Sequence, residues 1–115
     1  MEISVRDNRL RAALQDESIC KRRYGSDMAK KIKNRVATLY AAASLADFWP
    51  PNSGPERCHE LQGDLAGTFS IAVKQPYRLL FVPIEEKALP DRSDEQARWA
   101  SITAIEILTI EDTHG

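Results

Sequence analysis

The sequence predicts a small α+β domain, and three patterns along its 115 residues indicate that class. Residues 2–6 alternate polar and apolar side chains, which is typical of a short strand. A stretch that begins near residue 27 repeats apolar residues at steps of three or four, as an amphipathic helix does. Three apolar runs follow in the second half of the chain. This order predicts an N-terminal strand and two helices packed on a mostly antiparallel sheet that ends in a three-stranded meander.

The N-terminal segment predicts one strand followed by a helical region. Ile3 and Val5 lie on one face of the strand. Asp7 or Asn8 can cap the helix that follows, because both side chains accept hydrogen bonds from free backbone N–H groups. The residues that this helix turns inward are Leu10, Ala13 and Leu14. Gly25 suits a helix stop, and whether the helix continues up to that glycine stays open.

The strongest helix pattern runs from Asp27 to about Asp47. Ser26 is a suitable N-cap, and the carboxylate of Asp27 lies favourably at the positive end of the helix dipole. Apolar residues at helical spacing share one face, which we assign to the core: Met28, Ile32, Val36, Leu39, Tyr40 and Ala43. The Pro50-Pro51 pair ends the helix, since proline lacks the backbone donor and disfavours helical geometry before it.

The second half of the chain predicts strands joined by loops. Residues 50–68 hold three prolines and three glycines and predict a flexible loop. The runs Thr68–Lys74 and Tyr77–Pro83 are two residues apart, a spacing that demands an antiparallel hairpin. Ser101–Glu111 predicts a buried strand, whereas the charged segment 84–100 predicts a mobile excursion. The strand residues assigned to the core are Ile71, Val73, Leu79, Phe81, Ile105 and Ile107.

The composition is that of one folded domain over residues 1–115. Hydrophobic residues make up 43% of the chain and charged residues 29%, which is ordinary for a globular protein. No run of about 18 apolar residues exists, so we expect no membrane span. The N-terminus lacks the apolar core of a signal peptide, so we expect a cytoplasmic protein. In a reducing compartment Cys20 and Cys58 favour buried free thiols, and the Cys and His spacing favours no metal site or cofactor.

Charge is unevenly placed although the net charge is only −1. Residues 1–60 hold 11 Lys and Arg against 8 Asp and Glu, a balance of +3. Residues 61–115 hold 5 against 9, a balance of −4. The densest basic stretch is 20–40, which can neutralise the phosphates of a nucleic acid or simply form a solvated helix face. Charge alone leaves both interpretations open.

The predicted meander brings three chemically useful side chains together. If strands 77–83 and 102–110 pair antiparallel, Arg78 lies beside the tail residues Asp112 and His114. His59, in the loop 50–68, can reach the same place. Cleavage of RNA by its own 2′-hydroxyl needs a base, an acid and cations over the phosphate. Histidine suits either proton-transfer role, and the planar guanidinium of arginine suits phosphate.

Each of these residues also has a plain structural interpretation. His114 is the penultimate residue and can fray. His59 can be an ordinary surface histidine, and Arg78 can brace the sheet through an ion pair with Asp112. Spacing by itself does not choose between these interpretations and catalysis.

A specific motif lies between Arg57 and Phe81. It consists of a histidine followed by leucine, a Gly-Asp pair, a second glycine, an aromatic-Ser-Ile strand, and tyrosine before arginine. The residues that fit are His59, Leu61, Gly63, Asp64, Gly67, Phe69, Ser70, Ile71, Tyr77 and Arg78. In this motif the chain resembles the HigB-like branch of the RelE superfamily. The closing strand and tail, IEILTIEDTHG, are similar to the family's final Asp-Tyr-His, and the helix 28–45 matches its basic second helix.

The resemblance implies a toxin of a type II toxin–antitoxin system. Such toxins cleave messenger RNA on the ribosome by 2′-hydroxyl attack without a metal, and a helix-turn-helix (HigA-like) antitoxin silences them. The residues that fall on the family's catalytic positions are His59, Arg78, Asp112 and His114. The expected RNA contacts are Arg57, Lys74, Tyr77, Lys30, Lys31, Lys33 and Arg35.

Three positions depart from the family pattern. Gln62 replaces a lysine that many members have, Ala72 replaces an arginine, and Thr113 replaces the tail tyrosine. Two cations and an aromatic ring are therefore missing, although Arg57 and Lys74 lie nearby. Each oriented donor is typically worth about 100-fold in rate. The alternative to an active ribonuclease is therefore a catalytically weakened member that acts as an antitoxin-binding, regulatory module. A stand-alone domain with an unrelated ligand is a third hypothesis.

Overall fold

The computed structural model describes residues 1–84 and 93–112. The strands are β1 (Glu2–Val5), β2 (His59–Glu60), β3 (Phe69–Lys74), β4 (Tyr77–Pro83) and β5 (Ala104–Asp112). The α-helices are α1 (Asn8–Gln15), α2 (Glu17–Tyr24), α3 (Ser26–Ala41) and α4 (Glu95–Ser101). Two short 3₁₀ helices span Leu45–Phe48 and Gly63–Leu65. No helix within the described ranges is long and apolar enough to cross a membrane.

The strands form one five-stranded sheet in the order β1-β5-β4-β3-β2. β1 runs parallel to β5, and the other three pairs of neighbours are antiparallel. The β3–β4 hairpin and the β4–β5 pairing confirm the predicted meander and the α+β class. In the register, Arg78 lies opposite Glu111 and Tyr77 lies opposite Asp112. The start of β4 and the end of β5 therefore share one end of the sheet, as predicted.

The first helical region divides into two helices at Asp16. The side chain of Asp7 accepts from the backbone N–H groups of Arg9 and Leu10, which confirms it as a cap of α1. Asp16 then ends α1 and caps α2, because its carboxylate accepts from the N–H groups of Ser18 and Ile19. Three α-helices therefore precede β2, whereas the sequence pattern predicted two.

α3 is shorter than predicted, and its cap differs. Gly25, at φ 86°, occupies the N-cap position and Ser26 is already the first helical residue, so the predicted serine cap is wrong. The helix ends at Ala41 and not near Asp47. At this end the ammonium group of Met1 donates to the backbone carbonyls of Leu39 (3.3 Å), Tyr40 (3.1 Å) and Ala42. Carbonyls at a helix end need such donors from outside the helix.

The core lies between the helices and the adjoining face of the sheet. All predicted core residues of the strands are buried, and so are Met28, Ile32 and Leu39 of α3. Val36 is partly buried, whereas Tyr40 is 58% exposed and Ala43 is also exposed, so their assignment to the core was wrong. Tyr40 follows Leu39 by about 100° of helix rotation, which turns its ring to the edge of the apolar stripe. Both cysteines are buried free thiols, as expected.

Two segments that were predicted to lack regular structure contain a strand and a helix. Within 50–68, the residues His59 and Glu60 form the edge strand β2, so the assignment of His59 to a flexible loop was wrong. Most of α4 (Glu95–Ser101) falls within 84–100, which contradicts a mobile excursion there, and residues 85–92 lie outside the described part. Trp99 of α4 is 1% exposed, and its ring lies 5.1 Å from that of Trp49 and 5.6 Å from that of Phe69. The burial of Trp99 explains why this charged segment folds back onto the sheet.

Candidate active site

Arg78, near the start of β4, is held by acceptors on two other segments. Its Nε donates to the hydroxyl oxygen of Ser70 at 2.6 Å, and Ser70 is fully buried. Its Nη2 donates to the carbonyl oxygen of Arg57 at 2.7 Å and contacts the carbonyl oxygen of Ser70 at 3.4 Å. Because strand residues alternate, Arg78 and Ser70 lie on the face of the sheet opposite to that of the buried Ile71 and Leu79.

His59 is placed beside Arg78 by the pairing of β2 with β3. It lies directly opposite Ser70 in the register. Its Nδ1 is 3.1 Å from the carbonyl oxygen of Arg57 and 3.5 Å from Nη2 of Arg78. A carbonyl oxygen can only accept, so the shorter contact requires Nδ1 to carry the proton, and the longer one is then no hydrogen bond. In the tautomer that carries its proton on Nδ1, Nε2 is the acceptor.

Arg57 organises the site through its backbone. Its φ of 47° is in the left-handed region, which residues other than glycine rarely adopt. In that conformation its carbonyl oxygen accepts from both Arg78 and His59. A strained residue that fixes two functional side chains is a frequent feature of functional sites. The sequence pattern offered no signal for this role.

The site carries concentrated positive charge. The pKa of the Arg78 guanidinium is lowered by burial first and by the charge of Arg57 second, while Cys58 acts in the opposite direction. Arginine remains charged at neutral pH nonetheless. Within residues 1–84 and 93–112, neither Arg57 nor Arg78 forms an ion pair with a carboxylate. Two adjacent unneutralised guanidinium groups favour an anion.

Cys58, which follows Arg57, is not a candidate nucleophile. Its side chain is fully buried, and burial raises the pKa of the thiol to about 12. The thiol is therefore protonated at neutral pH, and only the thiolate is nucleophilic.

Tyr77 and Asp112 lie at the same end of the sheet as Arg78. They are opposite each other in the β4–β5 register, and both are exposed, Tyr77 at 44%. Contacts thus join three of the predicted site residues, Arg57, His59 and Arg78. Tyr77 and Asp112 share their end of the sheet, where strand alternation places both on the face opposite Arg78. The predicted catalytic residue His114 and the departure at Thr113 lie outside the described residues.

Two other predicted RNA contacts already have protein partners. Lys74 donates through its Nζ to the carboxylate of Asp27 and forms an exposed ion pair with it. Arg35 donates through Nε to the carbonyl oxygen of Ala72 at 2.7 Å and contacts that of Pro55 at 3.4 Å. Lys74 is therefore less available to compensate for a missing cation than the sequence suggests.

The three lysines of α3 lie on a different side of the sheet from Arg78. Lys30, Lys31 and Lys33 are exposed on the helical layer, whereas Arg78 lies on the other face of the sheet. Of the departures from the family pattern, Gln62 is exposed and Ala72 is 9% exposed, directly opposite Arg78 in the β3–β4 register.

A buried ion pair that sequence reasoning missed holds β2 in place. Arg98 of α4 is 5% exposed, and its Nη1 donates to Oε1 of Glu60 at 2.7 Å. The other carboxylate oxygen of Glu60 accepts from the N–H of Gly67 at 2.8 Å. The guanidinium of Arg98 also lies over the ring of Phe69, 5.6 Å from its centroid. Because Glu60 follows His59, this network fixes the strand that presents the histidine.

Among the described residues, no three His, Cys, Asp or Glu side chains gather in a way that could hold a metal ion. The cluster offers one imidazole beside the fixed guanidinium of Arg78, with the exposed side chain of Arg57 adding a second positive charge. That set can bind a phosphate and accept a proton from a group next to it.

Comparisons with known proteins agree on the fold. No protein-family model matches the sequence, and no curated protein matches it. Among solved structures, a YoeB/ParE toxin from Agrobacterium tumefaciens superposes with a TM-score of 0.58 at 14% identity, over 99% of this chain and 100% of that one. This chain has the fold of that toxin. The YoeB–YefM complex and the YoeB dimer, both from Staphylococcus aureus, give TM-scores of 0.55 and 0.54 at 14% identity, each over 100% of this chain and 98% of the other.

These neighbours support the RelE-like fold that the motif implies. They carry the names YoeB and ParE, so the assignment to the HigB-like branch stays a prediction. The fold is shared over essentially the whole chain.

Proposed function

We propose that this chain is the toxin of a type II toxin–antitoxin pair and acts as a ribosome-dependent endoribonuclease on messenger RNA in the cytoplasm. The observation that carries the proposal is the guanidinium of Arg78, whose Nη2 lies 3.5 Å from Nδ1 of His59 and whose pKa is lowered in part by the nearby charge of Arg57. Cations without carboxylate partners favour a phosphate, and an imidazole acceptor at their edge favours proton transfer. The toxin fold and the His-to-Arg motif point the same way.

The proposed reaction uses the RNA's own 2′-hydroxyl. Nε2 of His59 takes the proton from that hydroxyl while its oxygen attacks the adjacent phosphorus atom. The bond from phosphorus to the 5′ oxygen breaks, which leaves a 2′,3′-cyclic phosphate and a 5′-hydroxyl. Arg78 and Arg57 stabilise the charge that builds on the phosphate oxygens. His114 is the candidate acid that protonates the leaving oxygen, and Asp112 and Tyr77 flank the bound strand.

A protein partner is part of the proposal. The structural neighbour solved as a YoeB–YefM complex supports an antitoxin-like partner for this chain. A HigA-like helix-turn-helix partner remains the prediction of the sequence motif.

A second candidate function is a weakened family member that binds an antitoxin and regulates without cutting RNA. The observation that favours it is the small number of free cations. Gln62 and Ala72 carry no charge, and Lys74 is paired with Asp27. Among residues 1–84 and 93–112, Arg57 and Arg78 are the basic residues that remain near the histidine.

Induction of the chain without its partner tests the proposal. Wild type should slow growth and cut translated messages, with 5′-hydroxyl ends mapped by primer extension. Arg78→Ala should reduce cleavage by about 100-fold or more, because it removes the guanidinium aimed at the phosphate. Arg78→Lys keeps the charge without the planar fork and should retain part of the activity. Arg22→Ala, which removes an exposed arginine of α2, is the matched control and should cut as wild type does.

The outcomes separate the two candidates. Restoring the family residues with Gln62→Lys and Thr113→Tyr should raise cleavage, and Ala72→Arg is tested separately because Ala72 is buried. Absence of cutting in wild type and in the restored variants would reject the ribonuclease in favour of the regulatory module.

A further inference from the structure

Three successive carbonyl oxygens in the loop before β2 contact different parts of the fold. The carbonyl oxygen of Pro55 lies 3.4 Å from Nη2 of Arg35, a residue of α3. The carbonyl oxygen of Glu56 accepts from the backbone N–H of Ala72, in β3, at 2.7 Å. The carbonyl oxygen of Arg57 accepts from the histidine and the arginine of the candidate active site. These three residues therefore connect α3 and β3 to that site.

Arg35 and the loop meet at the edge of β3, beyond the end of β2. The pairing of β2 with this edge begins where His59 lies opposite Ser70. Two residues further along β3, the N–H of Ala72 donates to Glu56, and its carbonyl oxygen accepts from Nε of Arg35 at 2.7 Å. The two backbone groups of a strand residue point to the same side of the strand. The planar guanidinium of Arg35 thus bridges strand and loop, with Nε on the strand and Nη2 on the loop.

Hydrogen bonds matter to this part of the loop because little of it is buried. Pro55 and Arg57 are exposed, and Glu56 is partly buried. The left-handed backbone of Arg57 persists only when surrounding contacts impose it. Within the described ranges Arg35 forms no ion pair with a carboxylate, so two carbonyl oxygens are the acceptors that hold its guanidinium.

We propose that Arg35 is a positioning residue of the candidate active site. Through the loop it holds the carbonyl oxygen of Arg57 in place, and that oxygen fixes both His59 and Arg78. Without Arg35 the loop can relax from the left-handed conformation, and the carbonyl oxygen then leaves Nδ1 of His59. The tautomer of a histidine is set by the hydrogen bond that its other ring nitrogen makes, so Nε2 is then no longer held as the acceptor. A lysine cannot replace Arg35, because a single nitrogen lacks the fork that reaches two carbonyls.

The ring nitrogens of His59 report this role without any cleavage. The chain has two histidines, and His59→Gln assigns the signals by removing one set. In ¹⁵N-labelled protein at a pH where the imidazole is neutral, wild type should show a protonated Nδ1 and an unprotonated Nε2. Arg35→Ala and Arg35→Lys should each lose most of the Nδ1-protonated form and show a mixture of tautomers.

Ser53→Ala is the matched control within the same loop. It removes the hydrogen bond from the serine hydroxyl to the carbonyl oxygen of Phe48, at 3.2 Å, and leaves the carbonyls of residues 55–57 untouched. Its His59 signals should match those of wild type. Wild-type signals in Arg35→Lys would overturn the proposal, and so would an equal change in Ser53→Ala. Circular dichroism checks folding, and Arg35→Lys, which keeps the charge and the aliphatic part, carries the test if Arg35→Ala does not fold.

The effect on cleavage rests on the proposed ribonuclease function and separates positioning from a direct contact with RNA. A positioning role predicts that Arg35→Lys lowers kcat by about ten-fold or more with KM near that of wild type, because displaced catalytic groups reduce rate more than binding. A contact that needs only positive charge, as the family resemblance implies for Arg35, predicts an unchanged kcat in Arg35→Lys and a raised KM in Arg35→Ala. That result would reject the positioning role. If wild type cuts nothing while Arg35→Lys still changes the tautomer of His59, the ribonuclease proposal fails and the positioning role stands.

Discussion

On the helix-facing side of the β3–β4 hairpin, Ile71, Leu79 and Phe81 are fully buried among apolar neighbours. On the opposite side, Arg78 is half-buried and donates to a buried hydroxyl and two backbone carbonyls. The same two strands thus support a core on one face and a cationic site on the other. The first face is held by apolar burial, which is not directional, and the second by a few oriented hydrogen bonds. Removing an apolar side chain from the first face should therefore lower stability. Removing a hydrogen-bonding group from the second face should mainly lower activity.

Breaking the buried ion pair between Arg98 and Glu60 should give the largest loss of stability. The pair is buried, and it also holds the strand that presents His59. Arg98→Met leaves the carboxylate of Glu60 buried without its cation and should destabilise the protein by about 3–5 kcal/mol. Urea unfolding measures the change. The double variant Arg98→Met, Glu60→Met removes both charges and should recover much of that loss, although the N–H of Gly67 then lacks its acceptor. A double variant no more stable than Arg98→Met would show that the charge pair is not what holds β2.

Two adjacent residues of α3 test the apolar face. Leu39 is fully buried, and Leu39→Ala should cost about 2–5 kcal/mol through lost burial and a residual cavity. Tyr40, its 58% exposed neighbour, is the control, and Tyr40→Ala should change stability by about 0.5 kcal/mol or less. The midpoints of chemical denaturation report both. Equal shifts for the two variants would contradict the helix phase described above.

Of the three variants, Ser70→Ala should give the smallest loss of stability. Its main effect should be on cleavage. Ser70→Ala removes the acceptor of the Arg78 Nε, and the half-buried guanidinium can turn to water for a replacement. We expect a stability loss of about 0.5–1.5 kcal/mol and a larger relative drop in cleavage, because Arg78 is then less well positioned. Ser4→Ala, at an exposed strand position, is the control for the loss of a serine hydroxyl. A stability loss with full cleavage activity would mean that Ser70 serves the fold alone.

Local patterns were sufficient for much of the fold. The alternation of Ile3 and Val5, the helical spacing from Met28 to Leu39 and the two-residue turn before Tyr77 each depend on neighbours in the sequence. They predicted the first strand and the hairpin correctly, and the presence of the long helix but not its cap or its end. Once the meander is accepted, the approach of Arg78 to the end of β5 follows from antiparallel pairing alone.

The errors lie where distant residues decide the outcome. α3 ends at Ala41 because Ala42 adopts an extended backbone conformation, and the Met1 nitrogen donates to the carbonyls of Leu39 and Tyr40. α4 forms because Trp99 finds a buried place against Trp49 and Phe69. Neither contact leaves a local trace in the sequence.

The sequence by itself determined the class of fold, the buried face of β3 and β4, and the end of the sheet at which Arg78 lies. These follow from periodicity and strand order, which are properties of short segments. Only the tertiary structure decided that His59 belongs to an edge strand and that the carbonyl of Arg57 accepts from both His59 and Arg78. The ion pair between Lys74 and Asp27 was likewise decided by the tertiary structure. Those arrangements depend on the orientation of groups from separate segments. Hydrogen bonds and ion pairs are set by such orientation, which spacing along the chain does not encode.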